Sequence, residues 1–112
     1  MIKKLFFNFV NSINGLRVAF TEHSFIIEVL VGIILIPYLL FLDLNYIFKL
    51  LIISVYILLL SFELINTAIE KLCNKITKEI DSDIKMIKDL ASASVFMVLM
   101  SLIILIVFAF FV

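Results

Sequence analysis

Residues 91–112 read ASASVFMVLMSLIILIVFAFFV, 22 positions without one ionisable side chain. As a helix rising about 1.5 Å per residue, the run is roughly 33 Å long, enough to cross the hydrocarbon core of a bilayer. Ser92 and Ser94 near its start suit close packing against another helix. Moving back along the chain, a second apolar stretch runs from about residue 47 to 69, and a third covers about 26–42, interrupted by the phenol of Tyr38 and by Pro37. Proline is tolerated in membrane helices because neighbouring helices satisfy the freed carbonyl, so a kink at most is expected there. Leu42-Asp43-Leu44-Asn45 separates these two stretches as a tight polar turn. The expected fold is an all-α membrane protein with three transmembrane helices.

The whole-chain composition agrees. Of 112 residues 65% are hydrophobic and the mean hydropathy is +1.31, far above a soluble domain of this size. Nine basic and nine acidic side chains leave no net charge, so no global field draws nucleic acid. Cys73 is the single cysteine, which excludes an intrachain disulfide. Gly15 and Gly32 are the only glycines, so a glycine-rich phosphate loop is excluded too, and any nucleotide must be held by side chains and helix ends.

Ahead of the first span, Leu5, Phe9, Ile13, Leu16 and Phe20 recur at helical spacing, with Lys4, Asn8, Asn11 and Ser12 on the other side. The pattern predicts an amphipathic surface helix over residues 1–21. Lys3 and Lys4 precede apolar residues, but Asn8, Asn11 and Asn14 interrupt before any small-residue cleavage site, so this is not read as a signal peptide. Eight of the nine Lys and Arg residues precede the first span or lie between the second and third; Lys49 alone is near the 43–49 turn. The positive-inside rule then places the N-terminus and the 70–89 loop in the cytoplasm and the C-terminus on the opposite side. With no internal repeat or linker, residues 1–112 read as one domain.

Glu63, Asn66 and Glu70 are the anomaly in this apolar chain. At about 100° per residue they fall within roughly 60° of one another on a helix. An ionised carboxylate at the edge of hydrocarbon costs about 2.5 kcal/mol or more unless it meets a cation, water or a partner. Mg²⁺ answers that need, since it takes oxygen ligands, commonly one or two carboxylates together with nucleotide phosphates. Lys88, just before the third span, stands at the same depth and is suited to neutralise a transferring phosphoryl group. One carboxylate remains to accept the proton of an attacking hydroxyl. Glu22 and Glu28 bring further acids to this level, Glu22 as the metal partner by position and Glu28 toward substrate or a neighbouring helix. A lone intramembrane Glu is as often paired structurally with Lys or Asn, yet so many ionisable groups at one depth favour a reaction centre. His23 has no ligand neighbour at useful spacing beyond Glu22 and reads as an interfacial histidine.

The octad Glu63-Leu64-Ile65-Asn66-Thr67-Ala68-Ile69-Glu70, followed by Lys88-Asp89 and then Ser92-Ala93-Ser94-Val95, closely resembles the signature of the small bacterial diacylglycerol kinases. Upstream, Gly15-Leu16-Arg17 with Ala19-Phe20, Glu22, Phe25 and Glu28 is similar to that family's entrance to its first span, one residue shorter, and Leu42-Asp43 also fits. The resemblance covers nearly the whole chain. It implies a homotrimer in the bacterial inner membrane with active sites shared between subunits, Mg²⁺ as cofactor, ATP as donor and diacylglycerol as the lipid substrate. On matching positions it implies Glu63 as general base, Asn66 as a site-organising hydrogen bonder, and Glu22 and Glu70 as metal and phosphate ligands. Lys88, Asp89 and Glu79 would be nucleotide contacts, and Arg17, Phe20, Phe25, Glu28, Asp43 and Ser92 lipid-side or packing positions. The chain departs from the pattern at Asn74, at Ile80-Asp81, at Ala91 and at Ile26. These positions bear on nucleotide contacts rather than on the transfer centre.

Two other readings stand beside this one. Sister members of the family share the octad and phosphorylate undecaprenol, and nothing in the core site distinguishes one primary alcohol from another. A non-enzymatic membrane subunit, its acids making interhelical hydrogen bonds, would turn over no ATP.

Overall fold

A computed structural model describes residues 1–111. It contains four helices and, among the described residues, no strand: α1 (Ile2–Ala19), α2 (His23–Phe41), α3 (Tyr46–Ile76) and α4 (Ser82–Phe111). The last three are long and apolar enough to cross a membrane. Pro37 lies inside α2 without ending it.

Both connections between the spans are closed by short polar side chains at helix starts. Asn45 Oδ1 accepts the Ile47 N–H at 2.9 Å, satisfying one of the free donors at the head of α3. At the head of α4, Asp81 Oδ1 accepts from the backbone of Asp83 and Ile84, at 2.9 and 3.0 Å. Lys49 folds back to donate to the Leu40 carbonyl at 3.2 Å, covering an acceptor left over at the end of α2.

The core is a column of apolar side chains shared by α2, α3 and α4, built on Leu39, Ile52, Tyr56, Leu59, Leu102 and Ala109. Helix α3 is the central member, packing on both α2 and α4. Ala19 is the one buried residue of α1, and Leu5, Phe9, Ile13, Leu16 and Phe20 remain accessible. The Phe20 and Phe25 rings meet edge to face, 5.3 Å apart, at the α1–α2 corner.

Helix α3 continues past the apolar stretch to Ile76, and α4 begins at Ser82, well before Ala91. Hydropathy marks where lipid begins rather than where the helical ladder stops, so the charged turns 70–76 and 82–90 do not register in an apolar run. Their effect is to carry Glu70, Lys71, Lys88 and Asp89 on rigid helix rather than loop.

Candidate functional site

Glu63 is only 7% exposed and Asn66 9%; they are the buried polar residues of the core. Both lie on the α3 face turned toward the bundle, and that fits the cost of leaving them against lipid. Ser24, in the first turn of α2, donates its hydroxyl to Glu63 Oε1 at 3.1 Å. One turn further along α2, Glu28 stands as a second acid near the Glu63 carboxylate. Glu28 Oε2 is buried without a partner. Its backbone carbonyl accepts the Tyr56 hydroxyl at 2.7 Å.

Toward the end of α3, Asn66 Nδ2 donates to Glu70 Oε1 at 3.2 Å, leaving Asn66 Oδ1 buried and unpartnered. Glu22, which precedes α2, forms an ion pair with Lys71 at 3.0 Å. Lys88 Nζ donates to Asn74 Oδ1 at 2.6 Å, and Asp89 pairs with Lys85 at 2.7 Å. All of these groups lie at the end of the bundle where α1 meets α2 and α3 meets α4.

Glu22, Glu28, Glu63, Asn66, Glu70, Lys88 and Asp89 thus sit toward one end of the bundle, while Glu79 lies in the exposed connection between α3 and α4. Arg17 is exposed in the last turn of α1, Ser92 is exposed on α4, and Phe25 is buried. Asp43 is not brought to the centre: it lies in the α2–α3 turn, at the other end of α3 from Glu63. Sequence reasoning misses Ser24, Tyr56 and Lys71, each of which touches a site residue, and marks Asn74 only as a departure from the family pattern. A serine at a helix start, or a lysine in a lysine-rich stretch, has an ordinary explanation on its own, and only the packing register of α2 on α3 gives these residues another.

The donor set suits Mg²⁺. Glu70 offers a carboxylate next to Asn66, whose Oδ1 is buried without a partner, and Glu22, paired with Lys71, offers a second carboxylate at the head of α2. Among the described residues no three His, Cys, Asp or Glu side chains gather into a cage. An ion bridging protein and phosphates needs no such cage, because the nucleotide completes its shell.

Residues 10–110 match the family model described as prokaryotic diacylglycerol kinase. The chain belongs to that family. Among curated proteins none matches it. Membership makes this a lipid kinase family protein.

Proposed function

We propose that this member of the prokaryotic diacylglycerol kinase family transfers the γ-phosphoryl group of ATP to diacylglycerol, giving phosphatidic acid at the cytoplasmic face of the membrane. The observation that carries the reading is the inward-facing Glu63, held by Ser24 and set on the same α3 face as the Asn66–Glu70 pair.

Glu63 accepts the proton of the lipid's primary hydroxyl as that oxygen bonds to the γ-phosphorus. The bond from the γ-phosphorus to its bridging oxygen breaks, and ADP leaves. Asn66 orients the Glu70 carboxylate, and Glu70 with Glu22 would hold Mg²⁺ for the donor phosphates. An ion held there would supply positive charge to the donor phosphates and so ease in-line displacement of ADP at the γ-phosphorus. Lys88 turns from Asn74 to a phosphate oxygen, and Asp89 and Glu79 border the nucleotide. Positioning and electrostatics of this kind are most of what phosphoryl transfer asks of a protein.

The lipid enters sideways from the bilayer, past Arg17, Phe20 and Phe25, with α1 lying on the membrane surface. The positive-inside distribution of Lys and Arg supports a cytoplasmic N-terminus and a cytoplasmic α3–α4 connection. Three copies sharing sites form the working assembly in this reading, and crosslinking in native membranes tests it.

The test of function is purified protein in mixed micelles with Mg²⁺ and γ-labelled ATP, offered dioleoylglycerol and undecaprenol in parallel. Label is expected in phosphatidic acid, and Glu63→Gln is expected to lose about 10²-fold or more of the rate, the scale of a positioned general base. Transfer to undecaprenol alone would reassign the acceptor. Absence of transfer to either, or a Glu63→Gln variant at near-normal rate, would remove this mechanism.

A further inference from the structure

Ser24, Glu28 and Gly32 follow one another at intervals of four along α2, so they form one stripe, about 12 Å from first to last at 1.5 Å per residue. On α3, Tyr56 and Glu63 are separated by seven positions, about 10.5 Å on the same measure. The two helices run in opposite directions, so the stripes pair as rungs: Gly32 faces Tyr56, and Ser24 meets Glu63.

The lower rung is a lock. The Tyr56 ring fills the notch left by the missing side chain of Gly32, where a β-carbon would overlap the phenol itself, and the hydroxyl reaches on to the Glu28 carbonyl. Ring and hydrogen bond together admit one register of α2 on α3. That register brings the upper rung into bonding distance.

At the upper rung, the Ser24 hydroxyl occupies one oxygen of Glu63, Oε1. An unrestrained carboxylate rotates about its last bond and presents either oxygen. With Oε1 held by Ser24, Oε2 is left to take a proton, and Glu28 is the neighbouring acid on the α2 stripe. We propose that Ser24 is a positioning residue for Glu63, set in place by the Tyr56–Gly32 lock, and that it fixes which carboxylate oxygen faces the acceptor hydroxyl.

The inference rests on the kinase reading above. Its experiment uses the full-length protein in mixed micelles, with Ser24→Ala, Ser24→Thr, Glu63→Gln and the Ser24→Ala/Glu63→Gln pair, each measured for kcat, for KM toward ATP and for thermal unfolding. Ser24→Ala is expected to lower kcat about five- to tenfold with KM for ATP and the unfolding midpoint unchanged, because Ser24 is itself exposed and lies off both the Asn66–Glu70 pair and the apolar column. Ser24→Thr keeps a hydroxyl at the same place and is expected to retain most of kcat. The double variant is expected to be no slower than Glu63→Gln, since a residue that acts through Glu63 has nothing left to position.

A wild type that phosphorylates lipid while Ser24→Ala keeps full kcat overturns this inference and leaves the kinase reading standing. A further loss in the double variant, multiplying that of Glu63→Gln, overturns it as well, because Ser24 would then act by another route. A wild type inactive toward every lipid alcohol overturns both.

Discussion

Asn66 gives its amide N–H to Glu70 Oε1 at 3.2 Å across one turn of α3, and its own carbonyl oxygen is buried with nothing to accept from. A buried polar atom left unpaired costs about 1–3 kcal/mol, a cost that a cation or donor reaching Asn66 Oδ1 would offset. Asn66→Ala removes both the grip on Glu70 and the orphan oxygen. The expected result is a rise of about tenfold in KM for Mg-ATP together with a lower kcat, while thermal unfolding in micelles stays near the wild-type midpoint. A variant with unchanged KM would mean that Glu70 needs no orientation from Asn66.

The fit of Tyr56 into Gly32 yields a prediction about stability. Gly32→Ala puts a methyl group into space the phenol fills, and overpacking of this kind costs about 1–3 kcal/mol. Tyr56→Phe keeps the ring and loses only the hydrogen bond to the Glu28 carbonyl, so about 0.5–1.5 kcal/mol is expected. Tyr56→Leu combined with Gly32→Ala should be less damaging than the two single losses added together, because the smaller side chain vacates the space the methyl needs. Unfolding of each variant by SDS titration measures these differences, and strict additivity would show that the two residues do not lock the helices.

The three spans, and the clustering of Glu63 with Asn66, are legible in the amino-acid sequence because both are properties of single helices. A charge-free run declares its solvent, and the 3.6-residue period puts Glu63, Asn66 and Glu70 on one face whatever surrounds them. The partners of those residues are not legible in the same way. That Ser24 meets Glu63, that Glu28 approaches it, and that Lys71 reaches Glu22 all depend on how far α2 slides along α3. The register depends in turn on Gly32 and Tyr56, which on their own look like ordinary residues of apolar helices. Asp43, which the resemblance gives as a lipid-side or packing position, lies in the α2–α3 turn, with the first half of α3 between it and Glu63.

Asp43→Asn is accordingly expected to leave kcat within about twofold of wild type, on the scale of a surface change away from the reacting groups. About 26 Å of helix lies between the start of α3 and Glu63 at 1.5 Å per residue, too far for a direct effect on the transferring group. Initial rates at saturating ATP and lipid check this, and a loss of tenfold or more would place the turn in the reaction.

The Glu22–Lys71 pair invites a stabilising role that its exposure argues against. The Lys71 side chain is 54% accessible and that of Glu22 34%, so solvent screens the attraction and a contribution below about 1 kcal/mol is expected. Lys71→Ala should therefore shift thermal unfolding little. Glu22→Gln should do the same to stability, yet raise the Mg²⁺ concentration needed for half-maximal rate by about tenfold or more, because it removes a carboxylate proposed to face the ion. If Glu22→Gln instead lowers stability and leaves the Mg²⁺ requirement unchanged, its role is the ion pair.

Removing divalent cations with EDTA separates a metal used in the reaction from one used in the fold. The core of α2, α3 and α4 is apolar, and among the described residues no cage of three or more His, Cys, Asp or Glu ligands ties helices together. Chelation is therefore expected to abolish phosphoryl transfer while leaving the unfolding midpoint and helical circular dichroism unchanged, and added Mg²⁺ should restore the rate fully. Because Glu22 stands at the head of α2 and Glu70 on α3, an ion that gripped both without nucleotide would also brace the bundle. Unfolding measured with Mg²⁺ alone, with ATP alone and with both decides between these cases: stabilisation by Mg²⁺ only in the presence of a non-hydrolysable ATP analogue is the expected outcome, since the nucleotide phosphates complete the ion's oxygen shell. Stabilisation by Mg²⁺ alone would show that the carboxylates and Asn66 suffice to hold it.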